Sequence, residues 1–136
     1  PGPLNQEEWA LIRKHPLVGA SVLDSITKDI DLDNKEMAQY LETAYEIALN
    51  HHEKWDGSGY PRGLKGRNIP LSARIAAVCD VYDSLRSARP YKRAFSHQEA
   101  VEIIRSGKGS HFDPKLVDSF QRLEPSFAAV WDKHGE

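Results

Sequence analysis

Residues 36–53 read EMAQYLETAYEIALNHHE, and the fold class turns on this stretch. Met37, Tyr40, Leu41, Ala44, Ile47 and Ala48 recur three or four residues apart, the period of one helical face. A helix is expected from about Glu36 to Glu53, ending on two adjacent histidines. The same period continues on either side. Upstream, Asn5-Gln6-Glu7-Glu8 has the form of a capping box, a side-chain acceptor with Glu three positions on. It opens a helix to about Lys14. His15-Pro16 breaks the chain and restarts it, because proline suits a first turn. A second helix over Pro16–Ile26 is expected to turn Val18, Val22, Leu23 and Ile26 inward. Residues 27–35, TKDIDLDNK, are acidic and turn-like.

Downstream, residues 54–70 form a long loop holding four of the nine glycines and two of the eight prolines. Trp55, Tyr60, Leu64 and Ile69 favour a packed loop, and loops this long inside a domain usually serve a function. A fourth helix is expected over Leu71–Ser87, with Ile75, Val78, Tyr82 and Leu85 as its apolar stripe and Arg89-Pro90 as its stop. Ser96-His97-Gln98-Glu99 is a second capping box, opening a helix to about Ser106. Asp113-Pro114 opens another, to about Leu123, and Pro125 begins a short last helix. Strand alternation and internal repeats are absent. The expected class is all-α.

The chain has 136 residues, ample for one domain with a core. Its apolar runs reach five residues, as in Ile75–Cys79, against roughly 18 for a membrane span. Cys79 is the single cysteine, so no internal disulfide can form, and a reducing cytoplasm is the expected setting. The net charge of −2 argues against a nucleic-acid polymer as partner. The charge is unevenly placed. Residues 61–93 carry eight basic groups against two acids, a net +6, and the rest of the chain carries −8. A basic centre in an acidic chain suits an anionic ligand; a solvated basic face is the plainer reading.

Six histidines in so short a chain are the first chemical signal. His51 and His52 would point about 100° apart on a helix, which suits two metals, one ring for each. A pair of surface imidazoles at a helix C-terminus, favoured by the helix dipole, is the alternative. His15 sits at the break between the first two helices. Asp80 lies among small and apolar residues, where a carboxylate is costly unless it is paired or binds a metal. Either it completes a histidine-rich site as a hard oxygen ligand or it pairs with Arg74 or Arg86. Asp83, three residues on, shares its helix face. Gly59-Tyr60-Pro61 is a constrained turn whose ring could stack on a planar ligand or plug the core. Arg89 and Lys92 flank a rigid turn, where Arg forks onto phosphate oxygens and Lys adds a point charge.

Taken together, LNQEEWALIRKHPLVGASVL (4–23), HHEKWDGSGYPRGLKGRNIPLSARIAAVCDVYDSL (51–85), RPYKRAFSHQEAVEII (89–104) and HFDPKLVDSF (111–120) resemble the HD-GYP family of bacterial cyclic di-GMP phosphodiesterases. The likeness covers about residues 1–123. It implies an all-α, HD-superfamily domain with two or three divalent transition-metal ions, iron or manganese. Carried over by position, His15, His51, His52 and Asp80 are implied metal ligands, and Asp83 a substrate-side carboxylate. Arg89 and Lys92 are the implied phosphate-binding pair, with Gly59, Tyr60 and Pro61 lining the substrate. The resemblance implies cyclic di-GMP as substrate, an upstream receiver or sensor domain, and protein contacts through the Gly-Tyr-Pro loop.

Two departures stand out. The family's His-Asp dyad, in an HDxGK run, is expected about fifteen residues before Pro1. Residues 1–136 therefore read as an N-terminally shortened domain with little hydrolysis of its own. The stretch from His15 to His51 also looks about ten residues longer than the family's. The competing reading is a catalytically incomplete module that binds nucleotide or a protein partner.

Overall fold

The computed structural model of the chain describes residues 5–29, 34–88 and 93–135. In chain order the helices are α1 (Gln6–Ile12), α2 (His15–Asp29), α3 (Lys35–Asn50), α4 (Leu71–Arg86), α5 (His97–Ser106) and α6 (Pro114–His134), with one 3-10 turn at Gly66–Asn68. Among the described residues the only β pairing is an isolated bridge between Lys108 and Phe112, so the fold is all-α. No helix among them is long and apolar enough to cross a membrane.

Local chemistry sets the helix starts. Both capping boxes form: the Asn5 side chain accepts the Glu8 N–H while Glu8 accepts the Asn5 N–H, and Ser96 and Glu99 reciprocate in the same way. Asn34 caps α3, and Asp113 caps α6 by accepting the Lys115 N–H.

The main core lies between α4, α5 and α6. It is built from Val78, Tyr82 and Leu85 of α4, Ala100 and Ile104 of α5, and Phe112, Val117 and Phe120. α2 and α3 pack on each other, and α3 packs on α4. The seam of α2 corrects the sequence expectation. Val18 and Val22 are 61% and 55% exposed, and Ile26 also faces solvent. Pro16, Gly19, Ala20, Leu23 and Thr27 are the buried or half-buried positions, a full three-four stripe. A helix seam that uses small residues lets backbones approach closely. The Gly19 position, where an added Cβ would meet the Ala48 Cβ at 3.7 Å, marks that approach. On α4, likewise, Ile75 is exposed and Ala73 and Ala77 are buried.

Two helix ends also differ from expectation. α3 stops at Asn50, with His51 as its C-cap. α6 continues through Pro125 to His134 in place of a break after Leu123. Proline lacks an N–H and crowds the carbonyl four residues earlier. The later turns nonetheless carry Phe127 and Trp131 onto the core. Phe127 meets Tyr82 and Phe120 edge to face at centroid distances of 5.3 and 4.8 Å, and that packing holds the helix past the proline.

The basic centre is partly paired within the chain. Arg74 pairs with Asp113 at 2.7 Å, Arg86 lies over Trp131, and Arg93 forks onto Glu99. Arg62, Lys65 and Arg67 of the loop are exposed.

Candidate metal centre

The start of α2 and the end of α3 bring three imidazoles together. His15 is the first residue of α2, and its Nδ1–H donates to the Ile12 carbonyl at 2.7 Å. His51 caps α3, and its Nδ1–H donates to the Ile47 carbonyl at 2.9 Å. A carbonyl can only accept, so these contacts place the proton on Nδ1 and leave Nε2 as the basic nitrogen. The His15 Nε2 then stands 3.4 Å from the His51 Nε2 and 3.1 Å from the His52 Nε2. One ligand atom from each of the three rings lies within 4.8 Å of the others. Burial, then the neighbouring His51 and His15, push the His52 imidazole down to about 4, against a smaller opposing pull from Asp80. At neutral pH the His52 ring is uncharged.

The His15 and His51 Nε2 lone pairs face each other at 3.4 Å and repel unless a proton from the His52 Nε2 or a cation joins them. The spacing fits a divalent transition metal. Two imidazole nitrogens bound at about 2.1 Å stand about 3.0 Å apart at a right angle and about 3.4 Å apart at a tetrahedral one. The sequence expectation for His51 and His52 is two rings pointing about 100° apart on a helix. That expectation assumed a helix running on to Glu53. With α3 ending at Asn50, the two rings lie 4.1 Å apart at a 41° tilt and share His15 as a common neighbour.

The Gly-Tyr-Pro turn closes over the same point. The Tyr60 ring stacks on His52 at 4.9 Å and 22°, and the Arg13 guanidinium lies 5.5 Å from the same ring. Gly59 is required by close approach. A Cβ there would sit 2.3 Å from the Lys54 nitrogen, 2.5 Å from the Glu53 Cα and 2.6 Å from the His52 carbonyl oxygen. Pro61 follows through a cis peptide bond and is half-buried.

Among the described residues, the two expected carboxylates lie outside the cluster. Asp80 is exposed, not set in an apolar environment, and stands outside the three-histidine cluster. Its charge still acts on His52 and Tyr60. The candidate salt-bridge partners are engaged elsewhere, Arg74 with Asp113 and Arg86 with Asp132. Asp83 is exposed and lines an apolar cleft of about 480 Å³ between α4 and α6, beside Cys79, Tyr82 and Phe127. Arg89 and Lys92 lie outside the described residues. Two residues near the histidines went unselected in the sequence. Arg13 carries no local signal. Glu53 does: an acid directly after His51-His52, where a surface helix end would leave it solvated, is buried in the structure.

Residues 1–116 match the HD domain family. The chain is 48% identical, over 96% of its own length and 25% of the relative's, to a "Cyclic di-GMP phosphodiesterase" of Vibrio cholerae. A protein of the same name from Thermotoga maritima is 40% identical over 96% of this chain and 33% of its own length. A "3'3'-cGAMP-specific phosphodiesterase 2" of Vibrio cholerae is 40% identical over 96% of this chain and 23% of its own. The chain thus spans about a quarter to a third of the length of these relatives. With its HHE-x-x-DGSGYP run and its all-helical frame, the chain belongs to the HD domain family, in its HD-GYP branch.

Proposed function

We propose that this chain forms part of a metal-dependent phosphodiesterase that hydrolyses cyclic di-GMP, working in the cytoplasm. His15, His51 and His52 are the metal ligands. The observation that carries the reading is the convergence of three Nε2 atoms, at 3.1 and 3.4 Å from His15, with the Nδ1 protons of His15 and His51 anchored on carbonyls. The names of the relatives support the substrate.

A bound divalent metal supplies Lewis acidity and lowers the pKa of water toward neutrality. The residues of the chain do the rest. Asp80, whose charge acts on His52, would supply the carboxylate oxygen that iron or manganese prefers alongside imidazole. Arg89 and Lys92 neutralise phosphate charge as it redistributes during cleavage. Tyr60, held in place by Gly59 and Pro61, walls the site with an aromatic face suited to a planar base. Asp83 stands on the substrate side.

The relative named for cyclic GMP-AMP makes the mixed dinucleotide the rival substrate. The test has two parts. Titration of the chain with Mn²⁺ should give saturable binding that His51→Ala removes. The complete protein should hydrolyse cyclic di-GMP faster than cyclic GMP-AMP and lose that activity with His51→Ala. Unchanged hydrolysis by the variant refutes the ligand assignment, and preference for the mixed dinucleotide reassigns the substrate.

A further inference from the structure

Glu53 follows the two histidines and is only 2% exposed. A buried carboxylate is costly unless its oxygens are satisfied. Both are satisfied by backbone. Oε1 accepts the Arg62 N–H at 2.7 Å, and Oε2 accepts the Leu64 N–H at 2.9 Å. Hydrogen bonds to a charged acceptor are the stronger kind, and two on one rigid carboxylate fix direction as well as distance.

The placement of these bonds gives them a consequence for the site. The donors lie just past Gly59-Tyr60-Pro61, on the outgoing arm of the turn. The incoming arm is tied by the Tyr60 N–H, which donates to the His52 carbonyl at 3.2 Å. Gly59 seals the turn against the backbone of residues 52–54. Tyr60 is therefore held on both sides by the segment that carries His52, and its ring lies stacked on that imidazole. We propose that Glu53 is a positioning residue: by clamping the Arg62 and Leu64 amides, it holds the Tyr60 ring on His52 and so sets the orientation of that imidazole. Only the consequence for metal affinity rests on the functional reading above.

The test uses the 136-residue chain. Glu53→Gln keeps the size but turns one accepting oxygen into an NH2 group that cannot accept an N–H. Glu53→Asp keeps the charge and shortens the reach. The first readout is the ring-current shift that Tyr60 imposes on the His52 ring protons in ¹H–¹³C spectra, with Tyr60→Leu giving the unstacked reference. Glu53→Gln should move the His52 signals most of the way to that reference while the Ile104 and Val117 methyl signals stay in place, and Glu53→Asp should fall between. Zn²⁺ affinity should drop about tenfold, the usual effect of losing a group that orients a ligand. A purely structural role would lower Tm and leave both readouts unchanged. His52 signals that stay at wild-type positions in Glu53→Gln, or that do not move in Tyr60→Leu, overturn the proposal. Should Glu53→Gln fail to fold, Glu53→Asp is judged by the same spectra. A wild-type chain that binds no Zn²⁺ counts against the functional reading alone, since the ring-current readout needs no metal.

Discussion

Gly59→Ala introduces one methyl group at the tightest point of the site. The added Cβ would lie 2.3 to 2.6 Å from three backbone atoms of residues 52–54. Backbone cannot swing aside as the end of a side chain can, so the turn must lift. Overpacking of this kind costs about 1–3 kcal/mol, and loss of the Tyr60 N–H bond to the His52 carbonyl adds about 1 kcal/mol. A total of about 2–4 kcal/mol is expected. Unfolding entropy near 2.1 cal/mol/K per residue converts each kcal/mol to about 3.5 °C in a chain of this length, so Tm should fall by about 7–14 °C. Differential scanning fluorimetry measures it. Gly19→Ala is the internal control. Its Cβ would make an ordinary 3.7 Å contact with Ala48 inside α2, and removing a helical glycine contributes about 0.5–1 kcal/mol of stability. The two glycine-to-alanine changes should therefore move Tm in opposite directions. A Gly59→Ala protein that melts with wild type and keeps wild-type His52 ring signals would refute the close-approach argument.

Pro125→Ala should raise Tm by several degrees, because α6 runs through an exposed proline whose missing bond and ring clash cost a helix about 3 kcal/mol; no gain would mean that the helix is interrupted there. Arg74→Met leaves the Asp113 carboxylate buried without its 2.7 Å partner, at a cost of about 3 kcal/mol, and urea unfolding of the single and double variants gives the coupling. Two Arg93 contacts and the Ser96 amide hold Glu99 at about 2, well below its ordinary value. Its stabilisation is present above about pH 4.5 and fades as pH falls through 2. Wild type should thus melt above Glu99→Gln at pH 7, with the gap closing between pH 4.5 and 2. A gap independent of pH contradicts the sign.

Class and most helix starts were legible from residues alone; the helix count was not, since the separate last helix expected at Pro125 is part of α6. Caps such as Asn5/Glu8 and Ser96/Glu99 act across three residues, and amphipathic period acts within one helix, so both are written locally. His15, His51 and His52 were legible as candidates for a similar reason, since residue type and motif need no coordinates. Their convergence was not. It joins positions 36 and 37 residues apart, and it depends on α3 ending at Asn50, which turns His51 and His52 toward the same neighbour.

Which face a helix buries was also decided by its partner. The bulky Val18, Val22 and Ile26 look inward on paper, yet α3 takes the small-residue edge of α2, because close backbone approach there outweighs burying branched side chains. Glu53 shows the same limit in polar chemistry. A carboxylate after two histidines reads as solvated until a loop nine to eleven residues away brings it two N–H donors. Composition and periodicity determine which elements form. Long-range contacts decide which surfaces and side chains meet.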